Sequence, residues 1–186
     1  VDSAASIVCW GDGTHGRATP PDGDFQTVSS GFDHTCGLGV SGEIVCWGLA
    51  DDGRTSPPDG VFIQLSTGGY HACGVNSTGT VRCWGWNAHE QANAPTGAFT
   101  MVSAGDAHSC AVDSDGSVQC WGLNGHGQAS PPEGYFSVVS AGYRHSCGID
   151  TTGGIQCWGD NTKDQLNAPL GVFEHISAHK WHTCAI

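Results

Sequence analysis

The chain repeats itself every 37 residues, and no residue is inserted or lost between copies. Five such units account for 185 of the 186 residues. A fixed period of about 20–50 residues is typical of solenoids, repeat arrays and propellers. One column of the repeat is His34, His71, His108, His145 and His182, each two residues before a Cys. A second column is Cys9, Cys46, Cys83, Cys120 and Cys157, each followed by Trp-Gly.

Within a unit the apolar residues alternate, as Cys73 with Val75 and Val81 with Cys83 do. This spacing is typical of β-strands, and the short runs are bounded by Gly, Pro, Asn and Asp, which favour turns. No helical stripe is sustained anywhere. The pattern predicts an all-β fold in which each unit is a propeller blade of three or four short antiparallel strands. Columns of Phe, branched aliphatic and Trp residues are expected to fill the seams between blades: Phe25, Phe62, Phe99, Phe136 and Phe173; Val28, Leu65, Val102, Val139 and Ile176.

The two ends of the chain are complementary parts of one unit. Residues 1–3 align with residues 112–114, so the first unit lacks its His-x-Cys half and the last lacks its Cys-Trp-Gly half. We therefore predict a single-domain, five-bladed β-propeller, residues 1–186, whose ring is closed by N- and C-terminal strands sharing one blade. A trimmed larger protein is the alternative. The predicted units are residues 10–46, 47–83, 84–120, 121–157, and 158–186 completed by 1–9.

All ten cysteines fall in two columns of the repeat, which argues for disulfides. Symmetry selects one bridge in each blade, between cross-strand neighbours that flank a turn. Zinc is the less favoured alternative, because structural zinc sites cluster four ligands locally, and no metal or cofactor is expected. The predicted bridges are Cys36–Cys46, Cys73–Cys83, Cys110–Cys120, Cys147–Cys157 and, across the termini, Cys9–Cys184.

Disulfides predict an oxidising, secreted or extracellular location. No apolar run is long enough to span a membrane and no signal peptide is apparent, which suggests a mature secreted chain. Asn76-Ser77-Thr78 is a glycosylation sequon on a predicted turn. The net charge of −12, with only six Lys and Arg residues, excludes nucleic acid as an expected partner.

The segment from Ser103 to Gln128 resembles the regulator-of-chromosome-condensation propeller repeat. The resemblance is carried by the pattern Ser-Ala-Gly-x-x-His-Ser-Cys followed by Asp-Gly-x-Val-x-Cys-Trp-Gly-x-Asn-x-x-Gly-Gln. Two secreted branches are similar: the β-lactamase inhibitory propeller and the ectodomains of crinkly-type receptor kinases. The resemblance implies blades of four strands and a protein-binding role. Those relatives usually have seven units, so their partners do not transfer to this chain.

Function in a repeat protein is expected where the copies differ. Two windows vary, one just before each column His and one after each Cys-Trp-Gly, and aromatic and Arg residues in them are typical interface anchors. No nucleophile–base spacing or phosphate loop indicates catalysis. The candidate binding face comprises Phe32, Asp33, Tyr70, Trp86, His89, His126, Tyr143, Arg144, Lys180 and Trp181.

Two columns are assigned structural roles. Each column His is expected to satisfy a backbone group at the start of its strand. The glycines Gly31, Gly68, Gly105 and Gly142 are expected to take positive φ or to permit close backbone approach; the fifth copy has His179 there.

The sequence thus favours a secreted, non-enzymatic propeller that binds a protein partner. Two alternatives remain: a self-assembling structural subunit of an extracellular fibre or coat, and a lectin that binds glycans. Repeated sugar sites would require contact residues that repeat, and the variable windows do not repeat.

Overall fold

In a computed structural model, the structure describes residues 6–186, and the first five residues of the predicted closing segment lie outside that range. The fold is all-β. Four repeats each form a three-stranded antiparallel sheet in which the strands are adjacent in chain order, and a fifth sheet has two strands. Two 3-10 turns lie in the loops that precede the first and second blades, Thr14–Gly16 and Asp51–Gly53.

The first four blades have three strands each and the fifth has two, where the family resemblance implied four. The first blade is β1 (Phe25–Ser30), β2 (His34–Gly39) and β3 (Ile44–Gly48). The second is β4 (Phe62–Thr67), β5 (His71–Asn76) and β6 (Val81–Gly85). The third is β7 (Phe99–Ala104), β8 (His108–Asp113) and β9 (Val118–Gly122). The fourth is β10 (Phe136–Ala141), β11 (His145–Asp150) and β12 (Ile155–Gly159). The fifth is β13 (Ile176–Ala178) and β14 (Thr183–Ala185).

Each of the first four blades is linked across its second and third strands by a disulfide. Cys36 lies directly opposite Cys46, and the equivalent residues pair in the same register in the next three blades. The bridges Cys36–Cys46, Cys73–Cys83, Cys110–Cys120 and Cys147–Cys157 are all present. The repeat symmetry therefore assigned these four pairs correctly.

The hydrophobic core lies in the seams between neighbouring blades. Phe62 and Leu65 of the second blade pack with Leu38 and Ile44 of the first. The Phe and aliphatic columns thus fill seams where a preceding blade exists. Val28 has no such blade beside it and is 50% exposed.

Two columns of hydrogen bonds recur along the molecule. A Ser hydroxyl on the first strand of one blade accepts a hydrogen bond from a backbone amide of the next: Thr67 to Ser29 at 2.9 Å, Ala104 to Ser66 at 3.0 Å, Ala141 to Ser103 at 3.0 Å and Ala178 to Ser140 at 2.8 Å. The indole of each column Trp donates to a carbonyl in the loop before its blade: Trp47 to Arg17 at 3.0 Å, Trp84 to Arg54 at 3.1 Å, Trp121 to Gln91 at 2.8 Å and Trp158 to Gln128 at 2.9 Å. Neighbouring blades are therefore joined in the same way at each step.

The column histidines do not bond backbone groups, so that expectation is wrong. The Nε2 atom of His71 lies 2.7 Å from Oγ of Ser109 in the next blade, and His108 and His145 contact Ser146 and Thr183 in the same way. The Ser109 hydroxyl donates its proton to the Gln91 carbonyl at 3.1 Å. The histidine Nε2 must therefore be the donor, which fixes the neutral tautomer.

The glycines of this column allow the backbones of neighbouring blades to approach closely, and they do not have positive φ. A Cβ added at Gly31, Gly68, Gly105 or Gly142 would lie 2.1–2.5 Å from a carbonyl oxygen of the next blade. These distances are shorter than any real contact of a Cβ atom. Only glycine fits this position when another blade is docked on it. His179 occupies it in the fifth blade, which carries no such neighbour in the described structure.

The predicted fifth bridge and the closed ring are not formed. Cys9 and Cys184 are both unpaired, and Cys184 is exposed. Ile7 and Phe25 both lie over Gly37, where an added Cβ would be 3.0 and 2.7 Å from their side chains, so the N-terminal segment packs on the first blade. Residues 6–10 form no strand with β14. Across residues 6–186, the five blades make an open arc.

Candidate functional site

The ends of the first strands and the loops after the third strands converge on one face of the arc. The strands β1, β4, β7, β10 and β13 all run toward this face, and a pocket of 120 Å³ lies where they meet. Backbone of Gly31, Gly68, Gly105, Gly142 and His179 lines the pocket. We call this surface the channel face. The hairpins between second and third strands lie on the opposite face.

Four predicted binding residues form an aromatic row across the first two blades of the channel face. Phe32 contacts Tyr70 edge-on, with ring centroids 5.3 Å apart, and Tyr70 contacts Trp86 at 5.7 Å. Trp86 in turn meets the ring of His89 at 5.1 Å. Phe32 is exposed, whereas Tyr70 and Trp86 are half-buried. Edge-on packing of this kind holds rings rigidly, which reduces the entropy lost on binding a partner.

Four other predicted residues form a cationic cluster across the fourth and fifth blades. The rings of Tyr143 and Trp181 are 5.0 Å apart. The Arg144 guanidinium and the Lys180 ammonium lie 5.0 and 5.8 Å from the centre of the Tyr143 ring. Neither cation forms an ion pair with a carboxylate in the described residues, whereas Arg17 and Arg54 do. The cluster therefore offers two cations and an exposed indole to a partner.

Asp106 lies beside the pocket, on the blade between the aromatic row and the cationic cluster. Its Oδ1 atom is buried and has no hydrogen-bond partner among the described residues. Burial raises the pKa of this carboxyl, and the nearby positive charges of Arg144, Lys180 and His89 oppose that rise. A buried carboxylate oxygen without a donor is costly, so a donor from a bound partner would be stabilising there.

The two remaining predicted face residues lie outside both clusters. The carboxylate of Asp33 forms an ion pair with Arg17, with Asp33 Oδ1 lying 2.6 Å from Arg17 Nη1. His126 is exposed on a loop, where its backbone amide donates to Gln128 Oε1 at 2.9 Å. On the opposite face, the Oδ1 atom of Asn76 accepts hydrogen bonds from Thr78 and Thr80. Glycosylation of Asn76 stays a prediction.

The sequence analysis did not identify Arg54 as part of the candidate face. Its guanidinium lies over the Tyr70 ring of the aromatic row, 5.3 Å from the ring centre. Asp106 was also left out of the candidate face. A signal for Arg54 existed in the repeat. The same position is Gln91, Gln128 and Gln165 in the last three blades and Arg in the first two, so the change in residue type marked a local difference.

The two faces differ in charge. The channel face carries five of the six Lys and Arg residues, namely Arg17, Arg54, Arg144, Lys163 and Lys180, together with eight acidic residues, namely Asp12, Asp33, Asp51, Asp52, Glu90, Asp106, Asp160 and Asp164. The opposite face carries Arg82 together with nine acidic residues, which are Asp22, Asp24, Glu43, Asp59, Asp113, Asp115, Glu133, Asp150 and Glu174. Both faces are therefore net negative, and the opposite face is more strongly so.

Three of the column histidines, His34, His71 and His108, are held neutral below the channel face. Burial lowers the pKa of His34 to about 4 and the pKa values of His71 and His108 to about 3. In residues 6–186, no group of three or more His, Cys, Asp or Glu side chains is placed to hold a metal ion. No helix in that range has the length and apolar character needed to cross a membrane.

Comparison with known proteins identifies the repeat. The family model of the regulator of chromosome condensation (RCC1) repeat matches residues 25–54, 62–91, 100–128 and 136–165. No curated protein sequence matches the chain.

Three solved structures illustrate the structural similarity. The ectodomain of the Physcomitrella patens receptor kinase CR4 has a TM-score of 0.78 and 28% identity over 89% of this chain and 50% of that one. The CRINKLY ectodomain of the Arabidopsis thaliana receptor kinase ACR4 has a TM-score of 0.73 and 27% identity over 91% and 62%. Human WBSCR16, at 19% identity and a TM-score of 0.76 over 89% and 58%, shares the fold. The chain thus spans about half to three fifths of these structures.

Proposed function

Because the chain belongs to the regulator of chromosome condensation (RCC1) repeat family, we propose that it is an extracellular, non-enzymatic scaffold that binds a protein partner through its channel face. The observation that carries the proposal is the convergence of eight residues that vary between repeats. The repeat places all of them on one face, as the aromatic row and the cationic cluster.

The composition of this face supports protein binding. Tyr, Trp and Arg dominate the energetics of protein interfaces because they bury large areas at small entropic cost. Trp86 and Trp181 lie outside the Trp column that packs the seams, and Trp181 is 37% exposed. The unpaired cations Arg144 and Lys180 and the partnerless Oδ1 atom of Asp106 add polar groups that a partner can satisfy.

Two observations support the extracellular location. Four disulfides in 186 residues would be reduced in a cytosol, so they suit an oxidising compartment. The two structures of about 28% identity are receptor ectodomains.

The proposal is tested by comparing variants on the two faces. Trp181→Ala removes the exposed indole of the cationic cluster, and Tyr135→Ala removes an aromatic ring, 62% exposed, on the opposite face. Each purified protein is immobilised and exposed to an extracellular fraction from the source. The retained proteins are identified, and the affinity for each is measured. We expect a partner whose Kd rises about 30-fold with Trp181→Ala, because an interface Trp contributes about 2 kcal/mol. Tyr135→Ala should leave that Kd unchanged.

The opposite pattern, with binding lost on Tyr135→Ala and kept on Trp181→Ala, would refute the channel face as the binding surface. Enzymatic deglycosylation of the fraction separates a protein partner from a glycan. Binding that disappears after deglycosylation, and is competed by free glycan, would refute a protein scaffold and favour a lectin.

A further inference from the structure

Asp106 lies two residues before its column His, at a position where the five blades carry five different side chains. The equivalent residues are Phe32, Gly69, Tyr143 and Lys180. All five residues line the pocket of the channel face. The third blade therefore gives this pocket a carboxylate that no other blade provides at this position.

Gly69 leaves space on the second blade that the Asp106 carboxylate occupies. A Cβ added at Gly69 would lie 2.6 Å from Oδ1 of Asp106 and 3.2 Å from Cε2 of Phe32, so the carboxylate and the ring meet over this glycine. Oδ1 is buried there without a hydrogen-bond partner among the described residues, whereas Oδ2 is not buried. The contact therefore fixes the carboxylate with one oxygen open to the pocket. We call Asp106, Gly69 and Phe32 together the Asp106 site.

The nearby cations of the chain leave this carboxylate unpaired. Arg144 and Lys180 lie over the Tyr143 ring instead, 5.0 and 5.8 Å from its centre. Neither cation forms an ion pair with Asp106 in the described part of the chain. Burial raises the pKa of Asp106 because the ionised form is poorly solvated, and nearby positive charges oppose that rise. A partly desolvated carboxylate of this kind is stabilised by a cation that reaches it directly.

The surroundings of Asp106 do not suit a metal ion. Calcium binds about six to eight oxygen ligands, and the residues that line the pocket offer one carboxylate. Backbone carbonyls along the pocket already accept hydrogen bonds from the preceding blade: Gly69 from Phe32 at 3.2 Å, Gly105 from Gly69 at 3.0 Å and Gly142 from Asp106 at 3.1 Å.

An organic cation fits the site better, because an aromatic ring lies beside the carboxylate. The two aromatic rings that line the pocket, Phe32 and Tyr143, differ in this respect. Tyr143 is already covered by two cations of the chain, whereas no cation of the described residues lies over Phe32. A carboxylate next to an uncovered aromatic ring attracts ammonium and guanidinium groups.

Between these two cations, an ammonium group matches the Asp106 site better than a guanidinium. An Arg side chain binds a carboxylate most strongly through two parallel hydrogen bonds, which require both oxygens. A Lys side chain carries a compact charge that requires only one oxygen. Because Oδ1 of Asp106 is buried over Gly69, only Oδ2 is available.

We propose that the Asp106 site receives the ammonium group of a Lys side chain of the protein partner, which donates a hydrogen bond to Oδ2 of Asp106 beside the Phe32 ring. The Lys belongs to the partner that the channel face binds, so the site rests on the proposed function. Every residue of the site lies on the first three blades. Arg144 and Lys180, on the next two blades, would meet an acidic group of the same partner. The partner is thus expected to present a Lys and an acidic residue close together.

The decisive experiment uses the 186-residue chain and a small probe, Nα-acetyl-L-lysine amide. Nuclear magnetic resonance follows the backbone amides of Gly69, Gly105 and Asp106 as the probe is added, and the shifts give its Kd. Nα-acetyl-L-norleucine amide is the matched control, since its apolar side chain lacks the ammonium group. We expect the lysine probe to bind with a Kd at least about tenfold below that of the control, because hydrogen bonds between charged groups are strong. Equal binding of these two probes, or tighter binding of Nα-acetyl-L-arginine amide, would overturn the proposal.

Two pairs of variants locate the bound probe. Asp106→Asn should raise the Kd of the lysine probe at least about tenfold. Asp115→Asn removes an exposed carboxylate of the opposite face and changes the net charge equally, so it should leave that Kd unchanged. Gly69→Ala should also weaken binding, because its Cβ would displace Oδ1 of Asp106, whereas Gly125→Ala places its Cβ more than 4 Å from any other group. The same Kd for Asp106→Asn and Asp115→Asn would show that the probe responds only to general negative charge, which contradicts a specific site.

Chemical modification of the partner separates the Asp106 site from the proposed function as a whole. The partner retained in the comparison of Trp181→Ala with Tyr135→Ala is acetylated at its Lys residues, which removes their charge. Acetylation should raise its Kd for the wild-type chain about tenfold and leave its Kd for Asp106→Asn unchanged, since both changes remove the same interaction. A partner whose Kd depends on Trp181, but on neither acetylation nor Asp106, would refute the Lys site and keep the channel face. A lysine probe that binds at Asp106, with no partner that depends on Trp181, would instead refute the protein scaffold.

Discussion

The seam between the first and second blades and the seam between the third and fourth are built from the same columns, yet they differ at the residue that faces the column His. In the second of these, His108 donates to Ser146, which itself donates to the Gln128 carbonyl. In the first, the residue that faces His34 is Ala72, and both ring nitrogens of His34 are buried without a partner.

This difference shows which part of the repeat tolerates change. A buried polar group without a partner costs about 1–3 kcal/mol. The first seam accepts that cost because its glycine contact, Ser–amide hydrogen bond and Trp–carbonyl hydrogen bond are all retained. The close approach of backbones thus defines the seam, and the His–hydroxyl contact adds stability to it.

The largest expected effect comes from breaking the close approach in a fully bonded seam. In Gly105→Ala the new Cβ would lie 2.5 Å from the Gly142 carbonyl oxygen, which is backbone and cannot rotate away. We expect a loss of about 3 kcal/mol in the free energy of unfolding, measured by urea denaturation. Gly125→Ala is the control, since no atom lies within 4 Å of an added Cβ there. A Gly105→Ala protein as stable as the control would show that the seams are not held by this contact.

A second effect concerns pH. Burial holds the pKa of His108 at about 3 in the folded chain, against an ordinary value of 6.5 when unfolded. Between these values the unfolded state binds more protons, so stability is complete above pH 6.5 and falls as the pH is lowered. From pH 7 to pH 5, each such histidine should lower the free energy of unfolding by about 2 kcal/mol.

His108→Gln should therefore reduce the loss of stability between pH 7 and pH 5 by about 2 kcal/mol relative to wild type, as measured by urea denaturation at both pH values. His126→Gln, at an exposed position, should leave that loss unchanged. The same loss in wild type and His108→Gln would mean that the buried column does not govern the acid response.

The smallest effect is expected from a substitution that gives the first seam the His–hydroxyl contact of the third. In Ala72→Ser the new hydroxyl would meet His34 Nε2 and the Arg54 carbonyl, which already accepts from Trp84 as the Gln91 carbonyl does from Trp121. We expect a gain of about 1 kcal/mol in the free energy of unfolding, measured as a shift of the urea midpoint. The reverse change, Ser109→Ala, should cost at least as much. A loss on Ala72→Ser would indicate that the first seam has no room for the hydroxyl.

The sequence predicted the blades, their strands and four disulfides, because these depend on alternation and spacing within a single repeat. It misjudged the role of the histidines, because their partners lie 38 residues away in the next blade. Ring closure was inferred from the complementary ends of the chain. The curvature of the arc depends instead on the contact geometry of each seam, which no residue pattern encodes directly.

The sequence predicted which residues belong to the candidate face, but it did not predict that they form two separate clusters. The variable windows pointed to Trp86 and Trp181, since neither belongs to the Trp column. The contact of Arg54 with Tyr70 crosses from a loop to the following blade. Such contacts depend on side-chain conformations that the repeat does not fix.

The separation of charge between the two faces has a consequence for how the protein meets other molecules. The channel face carries five cations and eight acidic groups, whereas the opposite face carries one cation and nine acidic groups, so the molecule has an electric dipole directed along the axis of the arc. A field of this kind turns the molecule during diffusion, before any surfaces touch. Both faces carry a net negative charge, but the channel face repels an acidic molecule less strongly, so an acidic partner would meet this face first and the preference would weaken as the salt concentration rises.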